Sequence, residues 1–177
     1  FTLPTPVIAS NGTICTNVTL ILNGSGATTY SWTGPPPNNF SSVSQNTTIA
    51  STTTLDSGVY TLTAAFANGC ANTATRTILI RPLPVTSFTV NGGNPVCLNT
   101  TITLNGSGGT FYTWRGPNAF LSFVQNPTIN NISAAASGIY TLTATLNTCT
   151  FAVTQSVTAN PLPVPTATND TPTCEQH

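Results

Sequence analysis

The chain has 177 residues, carries no net charge at pH 7 and contains only 3 % charged residues, against about 25 % in an average soluble domain. No patch of either sign can form, so nucleic acid and anionic membrane surfaces are both disfavoured as partners. No apolar run approaches the roughly 18 residues of a membrane span, which argues against direct membrane insertion. Leu, Ile, Val and aromatic residues recur instead at strand spacing among Thr, Ser and Asn, and this pattern predicts a folded all-β protein.

The chain repeats itself with a period of about 80 residues. The run DSGVYTLTA at 56–64 returns as ASGIYTLTA at 136–144. A unit of that length is large enough for one modest sandwich core. The repeat therefore predicts one domain over residues 1–80, a second over 81–159, and the first strand of a third over 160–177. The start of the third is indicated by PLPV at 161–164, which matches the same letters at 82–85.

In chain order, alternation at period two and turn residues predict the strands of the first domain. We place strand A over 3–10, B over 18–22, C over 28–32, E from Ile49 onward, F over 60–65 and G over 70–80. The run Asn-Gly-Ser-Gly at 23–26 is predicted to end strand B as a turn, and the Pro-rich run at 34–39 to be a loop. The second domain repeats this order, with Ile129 and Ile132 as inward residues of its strand E.

The same alternation predicts an inward-facing core in each domain. Tyr60 and Tyr140 each follow a glycine by two residues, a spacing that turns the ring inward and returns its hydroxyl to the backbone of the preceding turn. Trp32 and Trp114 are expected between the two sheets rather than on a sugar-binding surface. Inward-facing leucines are predicted to bridge each core by apolar contact alone: Leu22 with Leu62, and Leu104 with Leu142.

Together these residues resemble an immunoglobulin-like β-sandwich over both repeats. More narrowly, the run C…TLxLNGSG…YxWxGP…F…QNxTI…SGxYTLTA…C is similar to the tandem immunoglobulin-like repeats of large secreted adhesins from gliding and related Bacteroidota. That family also shows PLP joints and cysteines before strand B and after the F–G turn. The resemblance implies tandem immunoglobulin-like β-sandwiches in a stalk or adhesive part of an exported surface protein. The resemblance implies that the protein acts outside the cell, but it implies no catalytic activity.

The five cysteines lie at matched places in the repeats, which favours an oxidising, extracellular setting. Counting suggests one bond within each repeat, Cys15–Cys70 and Cys97–Cys149. However, Cys15 and Cys70 are predicted at opposite ends of one sandwich, roughly 20 Å apart, whereas bridged Cα atoms lie within about 7 Å. In a head-to-tail tandem Cys15 reaches Cys149, which is the pairing we favour. Cys70, Cys97 and Cys174 are then left for neighbouring repeats, and free buried thiols are the third alternative.

The sequence predicts no metal site, no cofactor and no catalytic constellation. Each cysteine is isolated, the single histidine is His177, and three carboxylates are scattered along the chain, which fits neither zinc nor calcium nor acid–base chemistry. Asp56 is expected to hydrogen-bond within its turn, and Ala136 holds the matching place. We therefore do not expect an enzyme.

Two surface features are less settled by the sequence. Three phenylalanines flank the loop that differs in length between the repeats, and they are either loop anchors or an exposed contact patch: Phe40, Phe120 and Phe123. Several Asn-x-Ser/Thr triplets also occur, and glycosylation on Asn, Ser or Thr would hydrate a surface with so little charge.

The favoured function is a structural and adhesive repeat segment of a secreted surface stalk or fibre. We expect a mature segment of a longer protein, whose partners are neighbouring repeats, copies of itself or surface glycans. One alternative is a subunit of a self-assembling extracellular filament, joined through its orphan strand or its cysteines. A second alternative is a carbohydrate-binding accessory module of a secreted hydrolase.

Overall fold

The computed structural model describes residues 2–162 and divides them into two compact units. Unit 1 comprises residues 2–86, 108–111 and 144–151, and unit 2 comprises 87–107, 112–143 and 152–162. Over residues 2–162 the secondary structure is strand and short 3₁₀ turn, with no α-helix. Nothing helical in that range is long and apolar enough to cross a bilayer. The part of the third repeat that follows residue 162, including Cys174 and His177, lies outside the described residues.

Nine strands form in each sequence repeat. Those of the first repeat are β1 (Val7–Ser10), β2 (Ile14–Cys15), β3 (Leu20–Ser25), β4 (Thr29–Thr33), β5 (Ser41–Ser42), β6 (Asn46–Ile49), β7 (Gly58–Ala65), β8 (Ala71–Ile78) and β9 (Ile80–Arg81). Those of the second are β10 (Ser87–Val90), β11 (Val96–Cys97), β12 (Ile102–Ser107), β13 (Phe111–Arg115), β14 (Leu121–Ser122), β15 (Thr128–Ile129), β16 (Gly138–Leu146), β17 (Cys149–Val157) and β18 (Ala159–Asn160). A 3₁₀ turn precedes β7 (Thr54–Asp56), and another precedes β16 (Ala134–Ala136).

The first repeat is a sandwich of two antiparallel sheets. One sheet has the order β1–β3–β6, and the other has the order β5–β4–β7–β8. Side chains alternate along β3 and β7, so that Leu20, Leu22, Tyr60 and Leu62 point inward and are fully buried. This is the strand order A–B–E against C′–C–F–G of an immunoglobulin-like sandwich.

The second repeat has the same two sheets, β10–β12–β15 and β14–β13–β16–β17. Its own buried cluster includes Ile102, Leu104, Trp114, Tyr140 and Leu142. Residues 2–162 are therefore all-β, as the alternation predicts, and immunoglobulin-like, as the resemblance implies.

A short parallel pairing closes each sandwich at one end. β2 runs parallel to β9, with Cys15 opposite Arg81, and β11 runs parallel to β18, with Cys97 opposite Asn160. Strand G, predicted as one piece over 70–80, is divided into β8 and β9 because it changes partner at Leu79. The carbonyl of Leu79 accepts from Ile14 N at 3.2 Å, so the strand leaves β7 and joins β2.

Strand B is longer than predicted, because the Asn-Gly-Ser stretch belongs to the strand and not to a turn. β3 continues through Gly24 to Ser25 and pairs with β1 over that length. A Cβ at Gly24 would lie 3.2 Å from Trp32 Cζ2 and 3.0 Å from Leu62 Cδ2. The glycine is therefore in the strand to let the indole lie under it. The turn itself is at Gly26, whose φ of +97° suits glycine.

Strand E lies earlier in the chain than predicted, because β3 continues past the predicted end of strand B. Ile49 ends β6 rather than beginning it, because the extended β3 offers Leu22 and Asn23 as partners for Thr47 and Asn46. In the second repeat Pro127 precedes the two-residue β15, and Ile132 lies beyond that strand while still only 1 % exposed. A proline lacks the N–H that an extended ladder would need, which keeps this strand short.

Candidate functional site

The centre of the first sandwich is built around Trp32. Its side chain is fully buried, and its indole Nε1 donates to the Ser44 carbonyl at 2.9 Å. Gln45 Nε2 donates to the Gly24 carbonyl at 2.9 Å, and Gly24 N donates back to the Gln45 carbonyl at 2.9 Å. This pair fixes the loop before β6 against β3, so that the buried indole N–H has a partner.

The second sandwich repeats this arrangement around Trp114. Its Nε1 donates to the Val124 carbonyl at 3.0 Å, and Gln125 Nε2 donates to the Gly106 carbonyl at 2.9 Å. A Cβ at Gly106 would lie 2.9 Å from Trp114 Cζ2. One difference is Phe88, whose ring meets the indole edge-on with centroids 5.0 Å apart. Both tryptophans are thus occupied by the core and cannot stack on a sugar.

The leucines predicted to bridge the sheets lie in these same cores. Leu22, Leu62, Leu104 and Leu142 are all fully buried. The first two belong to the cluster around Trp32, and the others to the cluster around Trp114. The span that a disulfide occupies in antibody domains is filled here by apolar side chains.

Each repeat contains a tyrosine corner at the start of its longest strand. Tyr60 Oη donates to the Asp56 carbonyl at 2.8 Å, and Tyr140 Oη donates to the Ala136 carbonyl at 2.9 Å. Burial raises the pKa of both phenols, and the negative Asp56 raises it further in Tyr60, to about 12. Both phenols therefore stay neutral at physiological pH and act as structural donors.

Asp56 adds a second network in the first repeat only. The carboxylate accepts from Thr53 N at 2.8 Å, from Thr53 Oγ1 at 3.0 Å and from Asn38 Nδ2 at 2.5 Å. Burial by itself raises the pKa of Asp56, but these hydrogen bonds favour the charged form and bring the pKa below its ordinary value. The carboxylate is thus fully occupied in pinning the 3₁₀ turn to the Pro-rich loop.

The three flanking phenylalanines do not form one surface. Phe40 packs on Tyr60 with ring centroids 6.0 Å apart, and Phe120 packs on Tyr140 at 5.5 Å. Both are half-buried against their own cores and anchor the loop. Phe123 is 68 % exposed, so it alone of the three presents its ring to solvent.

The covalent feature of the molecule is a disulfide between Cys15 and Cys149. Their Cα atoms are 5.7 Å apart, although 134 positions separate them in the sequence. Both residues belong to unit 1, because that unit includes residues 144–151. This bond is the pairing that the head-to-tail argument favours. The in-repeat alternatives Cys15–Cys70 and Cys97–Cys149 are excluded by it.

The residues around this bond are tied to the backbone of unit 1. Arg81 Nη1 donates to the Asn147 carbonyl at 2.8 Å, and Thr16 N donates to the Arg81 carbonyl at 2.8 Å. Leu83 N donates to Thr16 Oγ1 at 3.3 Å. The Arg-Pro-Leu-Pro stretch, which begins at the last residue of β9, is therefore held to unit 1 by hydrogen bonds.

Two described cysteines remain as thiols. Cys70 is half-buried in the loop before β8, and Cys97 is exposed at the end of β11. Cys97 also lines an open pocket of about 270 Å³ in unit 2, together with Asn91, Pro95 and Thr100.

Among residues 2–162 no three His, Cys, Asp or Glu side chains come together in a way that could hold a metal ion. Asp56 is the single carboxylate side chain in that range and is engaged by its turn. The described residues therefore offer thiols that can form disulfides, but no acid–base pair. Gln45 and Gln125 belong to the repeated QNxTI motif of the sequence, but no role was assigned to them there. Their separation of one repeat period was the signal that could have identified them.

No protein-family model matches the chain, and no curated protein matches it. Solved structures do match. Extracellular domains 3–5 of Drosophila OTK align over 88 % of this chain and 62 % of that one, with a TM-score of 0.51 and 11 % identity. A complex of the mouse coronavirus receptor-binding domain with its murine receptor aligns over 89 % and 100 %, with a TM-score of 0.50 and 13 % identity. Murine CEACAM1b aligns over 89 % and 100 % with a TM-score of 0.47 and 14 % identity. The first two of these similarities show the immunoglobulin-like fold.

Proposed function

We propose that this chain is a structural and adhesive segment of a secreted surface stalk or fibre. Its domains are the repeats over 1–80 and 81–159, and residues 160–177 begin a third. It acts outside the cell through neighbouring repeats, copies of itself or surface glycans, and it performs no catalysis. The match to extracellular domains 3–5 of Drosophila OTK supports the setting. The observation that carries the proposal is the Cys15–Cys149 disulfide.

When tension is applied to the two ends of the chain, this bond provides a covalent path past most of the polypeptide. The load passes from the first residues to Cys15, crosses the sulfur bridge and continues from Cys149. Only 14 residues precede Cys15 and 28 follow Cys149. Both tryptophan-centred cores and both tyrosine corners lie mainly in the residues that the bridge bypasses. A surface stalk under shear needs this property, because its domains would otherwise be stretched one after another.

The bond also stabilises the folded state in the absence of force. Closing a loop of 134 positions removes unfolded-state entropy that is equivalent to about 4–5 kcal/mol on the chain-entropy estimate, before strain is subtracted. The sandwiches have only 3 % charged residues and a hydroxyl-rich surface. Their stability therefore depends on apolar cores and on this bridge rather than on ion pairs.

Stretching single molecules from both ends tests the proposal. With the bridge intact, the contour length that can be released is at most about 150 Å, because only the residues outside the bridge can extend. After reduction it should increase by about 450 Å. The Cys15→Ser/Cys149→Ser double variant should extend fully without reductant. An oxidised wild-type chain that extends to its full length would contradict the load-bearing role.

A carbohydrate-binding module is less well supported, because both tryptophans are buried. A glycan array carrying the two-repeat chain checks this ranking directly. We expect no saturable binding to soluble polysaccharides, and retention at micromolar concentrations would favour the carbohydrate module.

A further inference from the structure

Cys97 occupies in the second repeat the position that Cys15 occupies in the first. Each is the second residue of a two-residue strand that runs parallel to the last strand of its repeat. The backbone on either side is also the same: Thr16 N donates to the Arg81 carbonyl at 2.8 Å, and Leu98 N donates to the Asn160 carbonyl at 2.8 Å. Cys15 is bonded, whereas Cys97 is an exposed thiol.

Cys70 likewise occupies the position of Cys149. Both cysteines follow the tight turn between the two longest strands, and both are the third residue of an Asn-x-Cys sequence, at 68–70 and 147–149. Cys70 lies one residue before β8, and Cys149 is the first residue of β17. Cys149 is 1 % exposed and bonded, whereas Cys70 is half-buried and free.

We infer that Cys97 and Cys70 are the two unmatched halves of the joint that Cys15 and Cys149 form, and that Cys97 bonds to Cys70 of a second copy of this chain. The inference rests on the proposed function and names the partner through which the fibre continues. Cys97 lines an open pocket of about 270 Å³, so its side of the second sandwich is open to an incoming Asn68-Gly69-Cys70 turn. Because the two surfaces differ, the contact is heterologous and repeats without closing, which builds an open fibre.

The covalent step needs an oxidant, and a small-molecule disulfide such as oxidised glutathione supplies it. The thiolate of Cys97 attacks one glutathione sulfur, forms a mixed disulfide and releases one glutathione thiolate. The Cys70 thiolate of the second copy then attacks the Cys97 sulfur of that mixed disulfide and releases the other glutathione. Two protein thiols are oxidised to one disulfide, and one oxidised glutathione is reduced to two glutathione molecules.

The test uses the whole chain with Cys174→Ser, so that Cys70 and Cys97 are the only free thiols. In a glutathione redox buffer this protein should form a ladder of dimers, trimers and longer chains on a non-reducing gel. Peptide mapping should recover a Cys70–Cys97 crosslink between copies, for example from a mixture of isotope-labelled and unlabelled protein.

The matched controls are Cys97→Ser and Cys70→Ser in the same background. Each alone should remain monomeric, while a mixture of the two should give heterodimers and nothing longer, at a yield at least about tenfold above either homodimer. Equal homodimer and heterodimer yields would mean unselective thiol oxidation and would overturn the inference. So would persistent free thiols, or a Cys70–Cys97 bond within one chain. None of these outcomes affects the stretching experiment, which depends on Cys15 and Cys149 only.

Discussion

The turns that precede Tyr60 and Tyr140 have the same backbone and different chemistry. In both, the tyrosine hydroxyl donates to the carbonyl four residues earlier. In both, a serine hydroxyl oxygen accepts a backbone N–H of the last strand at 2.9 Å, Ser57 from Ile80 and Ser137 from Ala159. Only the first turn carries a buried carboxylate, whereas the second has three alanines. The tyrosine and serine bonds are therefore sufficient for the corner, and the Asp56 network is an addition to it.

The largest expected loss of stability comes from replacing the buried tryptophan that each repeat has at its centre. Trp32→Ala and Trp114→Ala should each lower the free energy of unfolding by about 3–5 kcal/mol, because each removes a fully buried indole. Trp114→Ala should lower it more by about 1 kcal/mol, since the edge-on contact with Phe88 is lost as well. Urea denaturation of the two variants measures the difference. A loss below 1 kcal/mol in either would contradict the central place of the indole.

Replacing Asp56 with alanine should make the turn before Tyr60 like the turn before Tyr140, which has Ala136 at that position. We expect Asp56→Ala to lower the free energy of unfolding by about 1–3 kcal/mol, because Asn38 and Thr53 lose a charged acceptor. The backbone of the turn should persist, as it does around Ala136. Amide hydrogen exchange in β7 and β16 provides the measurement. Exchange should become faster in β7 and stay unchanged in β16. Global unfolding of the first repeat would show that the carboxylate is essential.

Acid should lower the stability of the first repeat more than that of the second, by a smaller amount than the Asp56 substitution does. Burial raises the pKa of Asp56, but the hydrogen bonds from Thr53 and Asn38 bring it below its ordinary value in the folded protein. The contribution of Asp56 to stability is therefore complete above the unfolded pKa and is lost as the pH falls through the folded value. Lowering the pH from about 5 to 2 should therefore reduce the protection of the β7 amides, measured relative to the intrinsic exchange rate at each pH, more than that of the β16 amides. The matched control is Asp56→Ala, in which this extra acid sensitivity should vanish. Its persistence would place the titrating group elsewhere.

The fold was predictable because its signals are local. The period-two alternation and the Gly-x-Tyr spacing appear twice, and each identifies a strand and its corner without knowledge of distant residues. The ends of strands B and E were not predictable in this way. Gly24 is a turn residue by composition, and its place in the strand depends on Trp32 and Leu62, which meet it only after folding. Asp56 was expected to hydrogen-bond within its turn, but it also accepts a hydrogen bond from Asn38 in the Pro-rich loop.

The cysteine pairing was also predictable only as far as local sequence signals reach. Strand length alone separates Cys15 from Cys70, so the sequence could favour a partner other than Cys70. The Arg81 to Asn147 hydrogen bond that accompanies the bridge could not be anticipated, because it depends on where a side chain reaches. The roles of the phenylalanines could not be assigned from the sequence either. Phe40 and Phe123 are equally apolar, and only their packing distinguishes a loop anchor from an exposed ring.

The most direct test of the account is the connectivity of the cysteines in the folded, unreduced protein. Thiols are first blocked with an alkylating reagent, and the chain is then digested without reduction and mapped by mass spectrometry. We predict a crosslinked pair of peptides containing Cys15 and Cys149, both in the purified monomer and in any chains joined through Cys70 and Cys97. Recovery of a Cys15–Cys70 crosslink instead would contradict both the bridge and the load path that depends on it.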